Sequence, residues 1–239
     1  MALTPSHGPG RTVERVRKFI IKQIHLIESL GATFVRPDLL SKSPFIDESS
    51  KLLEDIVEES FLGCPEFIST AVQWFSQQRD MIANPVMPEQ QPRPEDLVSV
   101  LKAVRDFDCC AWASALPQES VVHDTDGLTK LARAYQLGCI LYGRRILDAV
   151  ERTQTGQDDT VSELIGIITA LQHGDLLKCT LWPITVAGLE CRSPQQRALL
   201  IQALDRLWQH TKCCNVFNAS RILQDYWRRT NLDPIGTND

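Results

Sequence analysis

Apolar residues recur every three or four positions along nearly the whole chain. Val13, Val16, Ile20, Ile24 and Ile27 draw one stripe over residues 12–30, and Gly31 reads as the C-cap of that helix. Leu52, Leu53, Ile56 and Val57 repeat the pattern and end at Gly63. Pro65 follows at a first helical position, where its missing N–H costs nothing, and Glu66 suits the positive end of the helix dipole. Phe67, Ile68, Ala71, Val72 and Phe75 form the face that helix should bury. Pro94 opens the next helix, with Leu97, Val100, Leu101 and Val104 at i, i+3, i+4 and i+7. The strongest helix is expected at 128–151, with Leu131, Ala134, Tyr135, Gly138, Leu141 and Tyr142 on one side.

Thr160 and Glu163 form a capping box ahead of Leu164, Ile167, Ile168 and Leu171. Ser193 to Gln196 form a second box ahead of Leu200, Ile201, Leu204, Leu207 and Trp208. Asn218 is the expected cap of a last helix carrying Ile222, Leu223, Tyr226 and Trp227. Two-residue alternation is nearly absent; Ile184–Val186 is the single strand-like run, and it lies behind Pro183 in a helical context. The pattern predicts an all-α fold, an irregular multi-helix domain of about eight to ten helices. No internal period of 30–50 residues marks a repeat array. The Pro-rich stretch 84–94 and the polar stretch 117–127 read as connections. Residues 12–232 are expected to form one helical domain between flexible segments at 1–11 and 233–239.

Composition agrees with a packed domain. The chain has 239 residues, 43% hydrophobic and 23% charged, close to the average globular protein. A net charge of −5 argues against bulk attraction to nucleic acid, because that attraction comes from Lys and Arg neutralising phosphates. None of the eight cysteines is spaced C-x-x-C, and Met1 to Arg11 carries no apolar signal-peptide core. A reducing compartment and free thiols, mostly buried as small hydrophobes, are therefore expected. Charged or polar residues interrupt every apolar run before 18 residues, which argues against a membrane span.

Three clusters invite chemistry. His210, Cys213 and Cys214 offer three metal ligands, but a structural zinc site needs four that converge. Free thiols are the simpler reading there, and equally at Cys109–Cys110. Asp158, Asp159 and Glu163 resemble half of the magnesium–diphosphate site of class I terpene cyclases, without the second metal motif such a site requires. The capping box accounts for Glu163. His123, Asp124 and Asp126 lie in a loop, where Asp126 reads as a helix cap and His123 as a solvated side chain. The nucleophile elbow, the phosphate loop, the dinucleotide fingerprint and the zinc-protease motif are all absent from the sequence. The basic groups Arg144–Arg145, Arg228–Arg229 and Arg15, Arg17, Lys18 read as solvated helix faces rather than a nucleic-acid groove. No catalytic, cofactor-binding or metal-binding residue is assigned.

Four segments, in order, resemble the helical regulatory region of fungal zinc-cluster transcription factors, the fungal-specific transcription factor domain. Leu62-Gly63-Cys64-Pro65-Glu66 is similar to that family's Gly-Cys-Pro helix junction. Ala134-Tyr135, Ile140-Leu141-Tyr142 and Arg144-Arg145-Ile146-Leu147 resemble its central helix. Leu181-Trp182-Pro183 through Ala187-Gly188-Leu189-Glu190 resembles its W-P…A-G-x-E segment, and Arg197 with Tyr226-Trp227-Arg228-Arg229 its ending. Together they span roughly residues 50–230. In these segments Trp182-Pro183 should supply an apolar anchor and a break in the backbone ladder, and Ala187-Gly188 a close helix approach.

The resemblance implies an all-helical regulator in the nucleus that works through protein or effector contacts: itself as a homo-oligomer, a related transcription factor, a coregulator or a small effector. The family's DNA reader is a six-cysteine cluster holding two zinc ions, whereas the first cysteine here is Cys64. No direct DNA binding by this chain is therefore expected. The alternative is a stand-alone helical enzyme, a cyclase or isomerase, using the acids at 158, 159 and 163. Phe67, Ile68, Leu141, Trp182, Leu204 and Trp227 are expected to be buried.

Overall fold

A computed structural model describes residues 13, 17, 30, 63–84, 91–116, 124–171 and 175–232. The stripe at 12–30 is represented there by Val13, Arg17 and Leu30, all helical, with Leu30 buried. The helix expected before Gly63 and the flexible segments expected at 1–11 and 233–239 lie outside the described residues. Among the described residues every regular element is helical, as the apolar spacing predicts.

The first element whose full extent is described, α1 (Glu66–Ala83), starts one residue later than expected, with Pro65 as its N-cap. Gly63 before it has φ +61°, and a Cβ there would sit 2.4 Å from Leu131 Cδ2. Backbone conformation and space both require glycine at this position. Ile68, Ala71, Val72 and Phe75 are buried, but Phe67 is 43% exposed. Phe67 sits about 90° from the centre of that stripe and stacks on Phe107 at 5.5 Å instead of entering the core.

Pro94 begins α2 (Pro94–Asp106), which buries Leu97, Leu101 and Val104. Asp108 caps the short α3 (Cys109–Ala115) by accepting the N–H groups of Cys110 and Ala111, both at 2.9 Å.

At the centre is α4 (Thr125–Glu151), 27 residues and about 40 Å long. It begins three residues before the expected start. Its cap is Asp124, whose carboxylate accepts Gly127 N–H at 2.9 Å. Asp126 lies in the first turn instead and pairs with Lys130. The sequence suggests one buried side, but burial runs unbroken from Ala134 to Leu141. That fits a helix enclosed by α1, α2, α3 and the later helices α5 (Asp158–Leu171) and α6 (Leu181–Glu190).

Helix α5 starts at Asp158, so Thr160 is already inside it and the predicted capping box does not form. A 3-10 turn (Asp175–Cys179) leads into α6, buried from Trp182 to Gly188. Pro183 stands in the first turn of α6, where its N–H would have no intrahelical partner. It breaks nothing.

Pro194 opens α7 (Pro194–Thr211) behind Ser193, as expected, yet the Ser193 hydroxyl bonds Gln195 rather than a backbone N–H. Lys212, with φ 49°, ends α7, and α8 (Cys214–Leu232) follows at once. Asn218 is inside α8, because that helix begins four residues before the expected cap.

Candidate functional site

All four recurrent sequence segments converge on α4 or on the helices packed against it. Gly63 backs onto Leu131, and Cys64 is buried beside it. One helical turn on, Tyr135 lies flat against Trp182, with ring centroids 5.8 Å apart and planes 8° from parallel. Its hydroxyl donates to the Cys179 carbonyl at 2.8 Å. A Cβ at Gly138 would stand 2.6 Å from the Trp182 ring, so the indole fits only over glycine. Phe75 of α1 uses Gly143 in the same way, at 2.5 Å. On the far side of α6, Trp227 of α8 donates its indole N–H to the Gly188 carbonyl at 2.7 Å. Leu223 fills the space a Gly188 Cβ would need, and the Arg197 guanidinium lies 5.4 Å over the Trp227 ring. The close approach expected at Ala187-Gly188 is therefore made by α8.

A polar lock closes the C-terminal end of α4. Arg145 reaches Glu190, the last residue of α6, with Nε 2.8 Å from both carboxylate oxygens. Asp148, 3% exposed, accepts the Thr155 N–H and hydroxyl at 2.8 Å each and pairs with Arg144 at 3.2 Å. Gln157 donates to the Leu141 carbonyl at 3.3 Å. Burial pushes the Asp148 carboxyl upward, but the Thr155 hydrogen bonds and the Arg144 charge outweigh it and hold the group below the usual carboxylate range. The Arg144–Arg145 doublet is therefore a structural clamp on the segment 152–157, not a solvated face.

A second polar hub lies on the other side of α4. Gln136, 1% exposed, donates to the carbonyls of Val104 at 2.6 Å and Phe107 at 2.9 Å. Its own oxygen accepts Arg133 at 2.6 Å and the Cys109 thiol at 3.3 Å. One side chain thus satisfies the end of α2 and fixes the start of α3. Sequence periodicity does not reveal Gln136 or Asp148, although each is a polar residue within the buried stretch of the central helix. That mismatch is the signal that could have found them.

The chemical candidates do not come together. Asp158 and Asp159 are exposed on the first turn of α5. Glu163 pairs with Arg133 at 2.8 Å. Asp124 is a cap, Asp126 pairs with Lys130, and His123 lies outside the described residues, as do Arg15 and Lys18. His210, Cys213 and Cys214 are all exposed, and so is Cys110. The expectation of mostly buried thiols holds for Cys64, Cys109, Cys139, Cys179 and Cys191 but not for these three. The exposed ones occupy an exposed side of the short α3 and the α7–α8 corner, which no periodicity marks as outward. Burial raises the Cys109 and Cys179 thiols to about 11, so both are neutral near pH 7. Among the described residues no three His, Cys, Asp or Glu side chains are grouped to hold a metal ion, and no helix is long and apolar enough to cross a membrane.

The geometry is that of a scaffold whose recurrent residues hold helices together. No curated protein and no solved structure matches the chain. The family model of the fungal specific transcription factor domain matches residues 45–238, a span that contains the clamp at Asp148, the hub at Gln136 and all four segments. The chain belongs to the fungal specific transcription factor domain family.

Proposed function

We propose that this chain is a transcription-regulator domain that acts in the nucleus through protein contacts and does not read DNA by itself. The family match over residues 45–238 carries the regulatory part of that reading. The rest is supported by how the large aromatic and the buried charged side chains are used: Trp182, Trp227, Arg145, Glu190 and Asp148 all serve helix packing, leaving output to the outer faces. Specific DNA readout would need an element presenting side chains to base edges, backed by phosphate contacts. The cyclase or isomerase alternative gains no geometry from Asp158, Asp159 and Glu163, since Glu163 of α5 is paired with Arg133 of α4.

Tethering tests the proposal. The chain is fused to an unrelated DNA-binding module and placed upstream of a reporter in a fungal host. A several-fold change in transcription, up or down, is expected relative to the module alone, with the untethered chain located in the nucleus. An inert fusion that is expressed, folded and nuclear would overturn it. Nanomolar, sequence-selective DNA binding by the purified chain would overturn the part that denies a DNA reader.

A further inference from the structure

The charge of this chain is unevenly placed. Residues 194–232, which form α7 and α8, carry six cations (Arg197, Arg206, Lys212, Arg221, Arg228, Arg229) against two anions (Asp205 and Asp225), a net +4 in a chain of net −5. The same helices expose large apolar side chains. Ile222 is 56% exposed, Tyr226 39% and Phe217 57%. Ile222, Tyr226 and Arg229 stand at i, i+4 and i+7, so they form one ridge of α8. Arg221, Asp225 and Arg228 form the next ridge, where Asp225 and Arg228 pair with each other. Arg221 and Arg229 are exposed and make no ion pair among the described residues.

The side of α8 that enters the core, about 100° round the helix from this ridge, is accounted for, since Val216, Ala219, Leu223 and Trp227 are buried. An Ile–Tyr pair that shares its ridge with the uncommitted Arg229, with the uncommitted Arg221 one position before Ile222 on the next ridge, is therefore a solvent-facing surface with both an apolar and an anionic preference. Resting on the proposed regulatory function, and deepening it, we propose that this ridge of α8 docks an acidic amphipathic helix of a partner protein. Apolar residues of the partner, at i and i+4, cover Ile222 and Tyr226, and its carboxylates reach Arg221 and Arg229. Charge decides among occupants. A second α8 would bring cation against cation, so self-pairing through this helix is disfavoured. Nucleic acid would match the charge but leave Ile222 and Tyr226 with no apolar surface to cover them.

The test uses the whole chain and two synthetic 18-residue helical peptides with one shared Leu/Phe pattern, one otherwise Glu/Asp-rich and the other Lys/Arg-rich. Fluorescence anisotropy is read at 50 and 500 mM salt. The acidic peptide should bind and weaken about tenfold or more at the higher salt, and the basic peptide should not bind. Ile222→Ser/Tyr226→Ser and, separately, Arg221→Glu/Arg229→Glu should each weaken binding about tenfold, with unchanged helical circular dichroism. No binding of the acidic peptide, equal binding of both peptides, or indifference to both variants would overturn the proposal. So would a DNA duplex that binds at least as tightly and loses affinity with the same arginines. The variants also go into the tethered reporter. If the wild-type fusion alters transcription and both variants do so equally, the ridge fails while the regulatory function stands. If the wild-type fusion is inert yet the acidic peptide binds, the regulatory function fails and the ridge stands.

Discussion

Two helices of this domain carry similar residue types and use them in opposite ways. Helix α4 has aromatic, aliphatic and charged side chains, and nearly all of them are engaged inside the molecule: Tyr135 under Trp182, Gln136 on the ends of α2 and α3, Arg145 on Glu190. Helix α8 has tyrosine, isoleucine and arginine too, but only one of its sides is committed, through Leu223 and Trp227 on Gly188. The difference is one of neighbours. Five described helices pack on α4, while among the described helices α8 packs mainly on α6 and α7. A charge inside α4 must find a partner or cost several kcal/mol of desolvation, whereas a charge on α8 is solvated and available.

The contrast can be broken most directly at Trp182. Trp182→Ala removes the ring that fills the space over Gly138 and should cost about 3–5 kcal/mol, read by chemical denaturation. A loss below about 1 kcal/mol would mean that α6 is not anchored on α4 in this way. Gln136→Ala should cost about 1–3 kcal/mol, because the carbonyls at the end of α2 lose their donor. Restored stability in Gln136→Glu would show that the donor N–H groups were not what mattered.

Asp148 sharpens the comparison through pH. Its folded carboxyl lies below the usual range, so the stabilisation is complete above the unfolded value of about 4. It is lost as pH falls through the lower folded value, since the unfolded chain takes up the proton first. Asp148→Asn should flatten that acid-side decline and lower stability at pH 7; parallel pH–stability curves for the two proteins would contradict this. The smallest effect is expected on α8. Ile222→Ser should change stability by no more than about 0.5 kcal/mol, because the side chain is already largely in water. A loss of 2 kcal/mol would place Ile222 in a packed interface within the chain, and α8 would then resemble α4 after all.

What the sequence determined by itself is whatever local rules can carry. Apolar spacing predicts the helical class, and Pro94 and Pro194 mark helix starts to the residue because a missing N–H is harmless only there. Ordered segments from Gly63 to Arg229 were enough to indicate the family. The capping boxes at Thr160 and Ser193 were legible as patterns but do not form. A side chain able to cap is equally free to bond elsewhere, as Ser193 does with Gln195. Tertiary structure alone decided which polar groups lie inside. Arg145 and Glu190 are 45 residues apart, and Tyr135 and the Cys179 carbonyl are 44 apart. It also decided that Phe67, Cys110, Cys213 and Cys214 face outward. Helical periodicity states that a residue lies on a stripe. Whether anything covers the stripe depends on helices distant in sequence, and only their packing supplies that answer.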